Sequence, residues 1–196
     1  MRRSIRSIAA FIAILCSGLV ASLAMADNDH HDRRRHIRTR LSGFNEVHFS
    51  GGPPAALRGA VSTEASGTFT ATIDARDDLI TYELRYRDLE GVVTQGHIHF
   101  GQQHTVGGIV VWLCQTEGTP APPEVADVTP FCPEEGSVSG TITPAQVLAA
   151  ANQGFDAEDF DELVRAIRAG AAYVNVHTSL FPPGEIRGQI GGSQDD

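Results

Sequence analysis

From residue 66 the chain alternates apolar and polar positions with a period of two. In SGTFTATID (66–74), Phe69, Ala71 and Ile73 fall on one side and Thr68, Thr70 and Thr72 on the other. In LITYELRYR (79–87), Ile80, Tyr82, Leu84 and Tyr86 oppose Thr81, Glu83, Arg85 and Arg87. Successive side chains on a strand point to opposite faces, so both segments read as half-buried strands. The same reading predicts strands in LSGFNEVHF (41–49), VVTQGHIHF (92–100), GIVVWLC (108–114), SVSGTIT (137–143), AAYVNVHT (171–178) and GEIRGQI (184–190). Turn residues separate them, with a loop at GGPPAALRG (51–59) and a turn at ARDD (75–78). One wet face per strand is the signature of an antiparallel sheet.

Two segments break this period. Thr143-Pro144 is an N-cap followed by proline at the first helical position, and predicts a helix over PAQVLAAANQ (144–153). Asp156 is positioned to cap a second helix over AEDFDELVRAIRA, with acids in its first turn and Arg165 and Arg168 near its end, as the helix dipole favours. Phe160, Leu163, Val164 and Ile167 form its apolar stripe, read as core packing, and Gly170 ends it. The expected fold is all-β with a short helical insertion before the last two strands: an immunoglobulin-like, Greek-key β-sandwich or barrel.

The N-terminus does not belong to this pattern. Residues 1–26 combine Arg2, Arg3 and Arg6, an apolar run from Ile8 to about Leu23, and the small-x-small stretch Ala24-Met25-Ala26. That is the layout of a secretory signal peptide, and the run is short for a membrane span. Cleavage would leave no membrane segment and would place the protein in the periplasm or outside the cell. Residues 27–40, DNDHHDRRRHIRTR, lack apolar periodicity and read as a charged flexible linker, whose His30, His31 and His36 are at most weak metal contacts. Residues 192–196 read as a disordered tail, leaving one domain over 41–191.

Loss of Arg2, Arg3 and Arg6 from 15 basic residues, against 24 acidic ones, leaves a net charge of −12. Every basic residue is arginine. So acidic a chain lacks the basic face that nucleic acid requires. Cys114 and Cys132 remain after cleavage, and an even pair in an exported protein predicts one disulfide.

The candidate chemistry lies in QGHIHFG (95–101). If Ile98 and Phe100 enter the core, His97 and His99 share the outer face, and in AAYVNVHT the same logic turns Tyr173, Asn175 and His177 outward. Three imidazoles on two strands can ligate a transition metal and leave a position open. His104, in the loop after His99, and His48 are further candidate ligands. The same histidines can instead tie loop backbone to strand ends, or act as a protonation switch. In FPPGEIRGQI (181–190), Glu185 and Arg187 share a strand face, as a structural ion pair or a backbone tie, or with Arg187 attracting a small anion beside the histidines. No Gly-x-Ser-x-Gly nucleophile and no phosphate-binding glycine loop occurs.

Together LSGFNEV, GHIHFG, GIVVWL and AGAAYVNVHTSLFPPGEIRGQI resemble the chordin-type domain, CHRD, over roughly residues 40–191. The resemblance implies an immunoglobulin-like β-barrel and a stand-alone exported protein of the bacterial kind. A more distant similarity links the family to Cu,Zn superoxide dismutases. It implies that His97, His99 and His177 correspond in order to three copper ligands and Arg187 loosely to an arginine beside the metal. There is no His/Asp-rich zinc loop between His99 and His177, which makes zinc a weaker expectation than copper. Three functions stay open: an exported transition-metal-binding protein, a non-catalytic module binding a protein or polymer, and a dismutase-like redox enzyme. The last is disfavoured because a charge of −12 repels superoxide, and the chain reads as a non-enzyme.

Overall fold

The computed structural model describes residues 34–47, 49–50, 56–57, 59–74, 76 and 78–191, with side chains from 35 and none at 49–50 or 56–57. The expected signal peptide, most of the expected linker, His30, His31, His48 and the tail 192–196 lie outside the described residues.

The strands are β1 (Arg34–Ser42), β2 (Phe49–Ser50), β3 (Ala56–Leu57), β4 (Ser66–Asp74), β5 (Leu79–Arg87), β6 (Val93–Phe100), β7 (Gly108–Cys114), β8 (Gly136–Ile142), β9 (Ala172–Thr178) and β10 (Ile186–Ile190). Eight of them form one sheet in the order β7-β6-β9-β10-β1-β4-β5-β8, and β2 and β3 pair separately. All pairings between these strands are antiparallel. The outermost strands β7 and β8 approach each other, so the sheet is nearly closed into a barrel. Neighbours distant in sequence, β6 with β9 and β5 with β8, supply the crossovers expected of a Greek-key fold.

The alternation holds where it is cleanest. Phe69, Ala71 and Ile73 of β4 and Ile80, Tyr82, Leu84 and Tyr86 of β5 are all buried, and the threonines between them are not. They pack on Ile98, Val111, Leu113, Val174, Val176 and Ile186 in one core. Tyr82 buries its ring there and donates its hydroxyl to the Leu113 carbonyl at 2.7 Å, so its polar tip is satisfied.

Three expectations are corrected. The sheet begins at Arg34, inside the stretch read as linker: β1 runs along β4 from Arg34–Asp74 to Ser42–Ser66. Its inward positions are Ile37, Thr39 and Leu41, and only Ile37 and Leu41 are fully buried, so the inward pattern is too sparse to see among the arginines. The expected helix over 144–153 is instead two 3₁₀ turns, Pro144–Gln146 and Ala151–Gln153. Thr143 and Gln146 do form the capping box, but Val147 turns extended and the Leu148 N–H donates to Val110. Tertiary pairing with β7 outweighs a weak local helix preference. A short α1 (Pro123–Ala126) lies in the proline-rich loop, and α2 spans Phe160–Arg168. Asp159, not Asp156, caps α2, accepting from the Glu162 N–H at 2.8 Å. Glu158 sits in the left-handed region at φ 62°, which stops the helix from starting earlier.

Cys114 and Cys132 are bonded, fixing the loop after β7 to the end of that strand. The buried Gln115 side chain organises the same loop, donating to the carbonyls of Ala126 and Thr129 and accepting from the Ala121 N–H. Replacing both cysteines by alanine should lower stability by about 3 kcal/mol through restored loop entropy in the unfolded chain. Chemical denaturation reads this directly. An unchanged midpoint would mean that Gln115 holds the loop without the covalent link.

Candidate metal centre

β6 and β9 lie side by side in the sheet, with His97 opposite Asn175, His99 opposite Tyr173 and Gln95 opposite His177. Directly paired residues share a face. His97, His99, Tyr173, Asn175 and His177 therefore stand together on the side of the sheet away from the core, while Ile98, Val174 and Val176 enter it.

That face is not wet. His97 is 0% exposed and His99 and His177 are each 6% exposed. Trp112 of β7 covers one side, its ring 4.3 Å from that of His97. The loop 101–107 and the turn before β10 close the rest, through contacts of Gly107 with His99 and Pro182 with His177.

The three imidazoles offer nitrogens that all lie within 4.8 Å of one another. Their tautomers follow from their partners. A carbonyl only accepts, so His99 Nδ1–H donates to the Gly107 carbonyl at 2.9 Å and His177 Nδ1–H donates to the Pro182 carbonyl at 2.8 Å. This is how a backbone carbonyl orients a metal-ligating histidine. The neutral His99 ring is left with an Nε2 lone pair, and His177 Nε2 lies 3.0 Å from Asn175 Oδ1. His97 Nδ1 lies 3.2 Å from His177 Nε2. Two nitrogens on one ion, each at about 2.0–2.1 Å, are separated by such a distance. The His97 and His99 Nε2 atoms are buried without a hydrogen-bond partner.

Burial, with the neighbouring His177 and His99, holds the His97 imidazole well below its usual pKa. Burial lowers His99 to about 4, against the opposing bond to Gly107. Both rings are therefore neutral at pH 7, the form that ligates.

Arg187 sits one strand beyond, opposite Asn175, and is 2% exposed. Its guanidinium lies 3.4 Å from the centre of the Tyr173 ring, and that ring stacks on His99 at 4.7 Å with planes 2° apart. Its amino groups donate to the carbonyls of Thr105 at 2.7 Å and Gln102 at 3.0 Å. Arg187 thus braces the covering loop. Glu185 takes separate partners. Its carboxylate accepts from the Thr63 and Thr178 hydroxyls and the Glu90 N–H, each at 2.8 Å, and ties three segments together. Glu185 and Arg187 thus take separate partners, and Arg187 ties loop backbone.

His104 is exposed, at φ 63°, and lies outside the three-histidine group. It lines a polar cleft of about 190 Å³ with Thr39, Asn45, Gln103, Arg187 and Gln189. His36 is exposed on β1 and contacts the Thr72 hydroxyl at 3.0 Å. Sequence reasoning did not single out Glu46 or Trp112. Glu46 is 3% exposed, and burial raises its carboxyl above the usual range against the Val47 N–H, Arg187 and Asn175. Asn175 and Tyr173 were visible as outward residues of AAYVNVHT, but only the sheet register places them between the histidines.

A family model described as the CHRD domain matches residues 37–190, which include all three histidines, both cysteines and Arg187. No curated protein and no solved structure matches the chain. With most of its length under one family model, and with the strands of that region forming one nearly closed sheet, the chain belongs to the CHRD domain family.

Proposed function

We propose that this protein is an exported metal-binding CHRD protein that holds a transition-metal ion, copper in preference to zinc, through His97, His99 and His177. One observation carries the reading: three buried imidazoles converge within 4.8 Å, and backbone carbonyls orient two of them through Nδ1. Imidazole suits both metals, and copper binds most tightly of the first-row divalent ions. The disulfide and the leader-like N-terminus support export. Among the described residues no helix is long and apolar enough to cross a membrane.

The bonds to Gly107 and Pro182 favour a second reading, in which the histidines only pin loops to strands. A dismutase-like activity would need a substrate path to the ion. With His97 fully buried, that path requires the 101–107 loop to open.

Titration of the purified protein with Cu(II) should give a nitrogen-ligated electron paramagnetic resonance signal saturating near one equivalent, lost in His97→Ala/His99→Ala. A signal that survives that substitution and vanishes only on deleting residues 27–33 would sink the metal reading.

The metal-free protein should weaken in acid. His97 and His99 are depressed below the 6.5 of an unfolded histidine, so their stabilisation is present above about pH 6.5 and is lost as pH falls towards 4. His99 alone contributes on the order of 3 kcal/mol of this. Saturating Cu(II) should move the acid transition to lower pH. Unfolding midpoints between pH 7 and 4 check both statements, and a flat profile would contradict them.

A further inference from the structure

We infer that the outer face of β1, β4, β5 and β8 is a binding trough for an extended, carboxylate-bearing polysaccharide. Arg38 and Arg40 take its carboxylates, and the hydroxyls of β4 meet its sugar hydroxyls. The inference is independent of the histidine site, which lies on β6 and β9.

The strand register sets the outward side chains in rows. Arg40, Thr68 and Arg85 stand across one row, and Arg38, Thr70 and Glu83 across the next. The centre of each row is short. On β4 the outward residues Ser66, Thr68, Thr70 and Thr72 are all half-buried. The flanks are long: Arg38 and Arg40 on β1 and Arg85 and Arg87 on β5 are all exposed. This difference in side-chain length makes a trough with a hydroxyl floor and arginine walls. Two hollows on successive rows occupy it, of about 480 and 730 Å³. From the His36–Thr72 row to the Ser42–Ser66 row the trough runs along β4 for about 20 Å, at the rise of an antiparallel strand. A long depression, open along its side, suits a polymer better than a compact ligand, which takes a concave pocket that surrounds it.

Charge selects the polymer. On the β5 wall Arg85 is paired with Glu83 and Arg87 with Asp88, each at 2.8 Å. Among the described residues, Arg38 and Arg40 on the β1 wall have neither an ion pair nor a side-chain hydrogen bond. Glu135 lines the far side of the trough, before β8 and three strands from β1. The β1 wall is therefore positive although the chain as a whole is acidic, and an anion meets attraction here. The guanidinium fork matches a planar carboxylate. Hydroxyls on the floor both donate and accept, as sugar hydroxyls do. Other polymers fit less well. Protein partners are held by buried aromatic or apolar anchors, and single-stranded nucleic acid stacks its bases on aromatic rings. The aromatic residues at the base of the trough, Tyr82 and Tyr86, turn their rings away from it into the core.

Titration calorimetry of the purified protein with polygalacturonate oligomers tests this, with the methyl-esterified oligomer and a single-stranded oligodeoxynucleotide as comparisons. The protein should bind the free acid, more weakly as salt rises, and should not bind the ester. Arg38→Ala/Arg40→Ala should weaken binding by about tenfold, for the loss of two exposed charge contacts. Arg38→Lys/Arg40→Lys keeps the charge without the fork and should recover part of that loss, which also covers a poorly folded alanine variant. Thr68→Val/Thr70→Val should weaken binding by about fivefold, through the floor hydroxyls alone. Arg165→Ala/Arg168→Ala removes the same charge from α2 and should leave the affinity within about twofold, because distant charges are screened. Four results would each overturn the inference: no binding of polygalacturonate, equal binding of its ester, an unchanged affinity in Arg38→Ala/Arg40→Ala, or an equal loss in the α2 variant. Tighter binding of the oligodeoxynucleotide than of polygalacturonate would overturn it too, and would assign the face to nucleic acid.

Discussion

Strand β9 is buried at every one of its seven positions, and the site depends on that fact. In most antiparallel sheets one face meets water, and polar residues there need no partner from the protein. Here Ala172, Val174 and Val176 fill the core, and Tyr173, Asn175 and His177 are sealed beneath loops on the other side. A buried polar group without a partner costs about 1–3 kcal/mol. The polar face of β9 must therefore be satisfied by neighbouring strands, by loop carbonyls, or by a bound ion.

The neighbouring strands and loops meet most of that demand. Gly107 and Pro182 take the Nδ1 protons of His99 and His177, and Arg187 lies across Tyr173 while donating to Gln102 and Thr105. The covering loop is thus fastened from below by a cation stacked on an aromatic ring, an arrangement favoured most where water is excluded. Glu185 does similar work at the other end of the turn, where its two oxygens collect the 63, 90 and 178 segments. The ring nitrogens left without a partner among the described residues are His97 Nε2 and His99 Nε2. Burial keeps the His97 and His99 imidazoles neutral, so one cause excludes water, prevents protonation and leaves lone pairs available.

The two halves of the chain were legible to different degrees. Phe69-Ala71-Ile73 and the Ile80 to Tyr86 series fall on the buried face that their alternation predicts, because β4 and β5 keep a threonine-rich or charged outer face. The family resemblance carried by GHIHFG and YVNVHT was also sound, since the family model spans 37–190. β1 was hidden because arginine stems can lie along a strand in which, among the described side chains, Ile37 and Leu41 are the fully buried ones. The 144–153 segment misled because Val147 and Ala150, three residues apart, mimic a helical stripe although each enters the core from an irregular backbone.

The sequence by itself determined that His97, His99 and His177 leave the core together, because the side-chain period of a strand is two and Ile98, Val174 and Val176 are apolar. It also determined that Cys114 and Cys132 pair. Only the tertiary structure decided that this outward face is dry, that Asn175 stands among the imidazoles with Glu46 behind it, and that His104 and Glu185 belong elsewhere. The physical reason is one of range. Alternation is a local property of a single strand, whereas burial of its outer face depends on loops at 43–47, 101–107 and 181–184 that carry no period of their own.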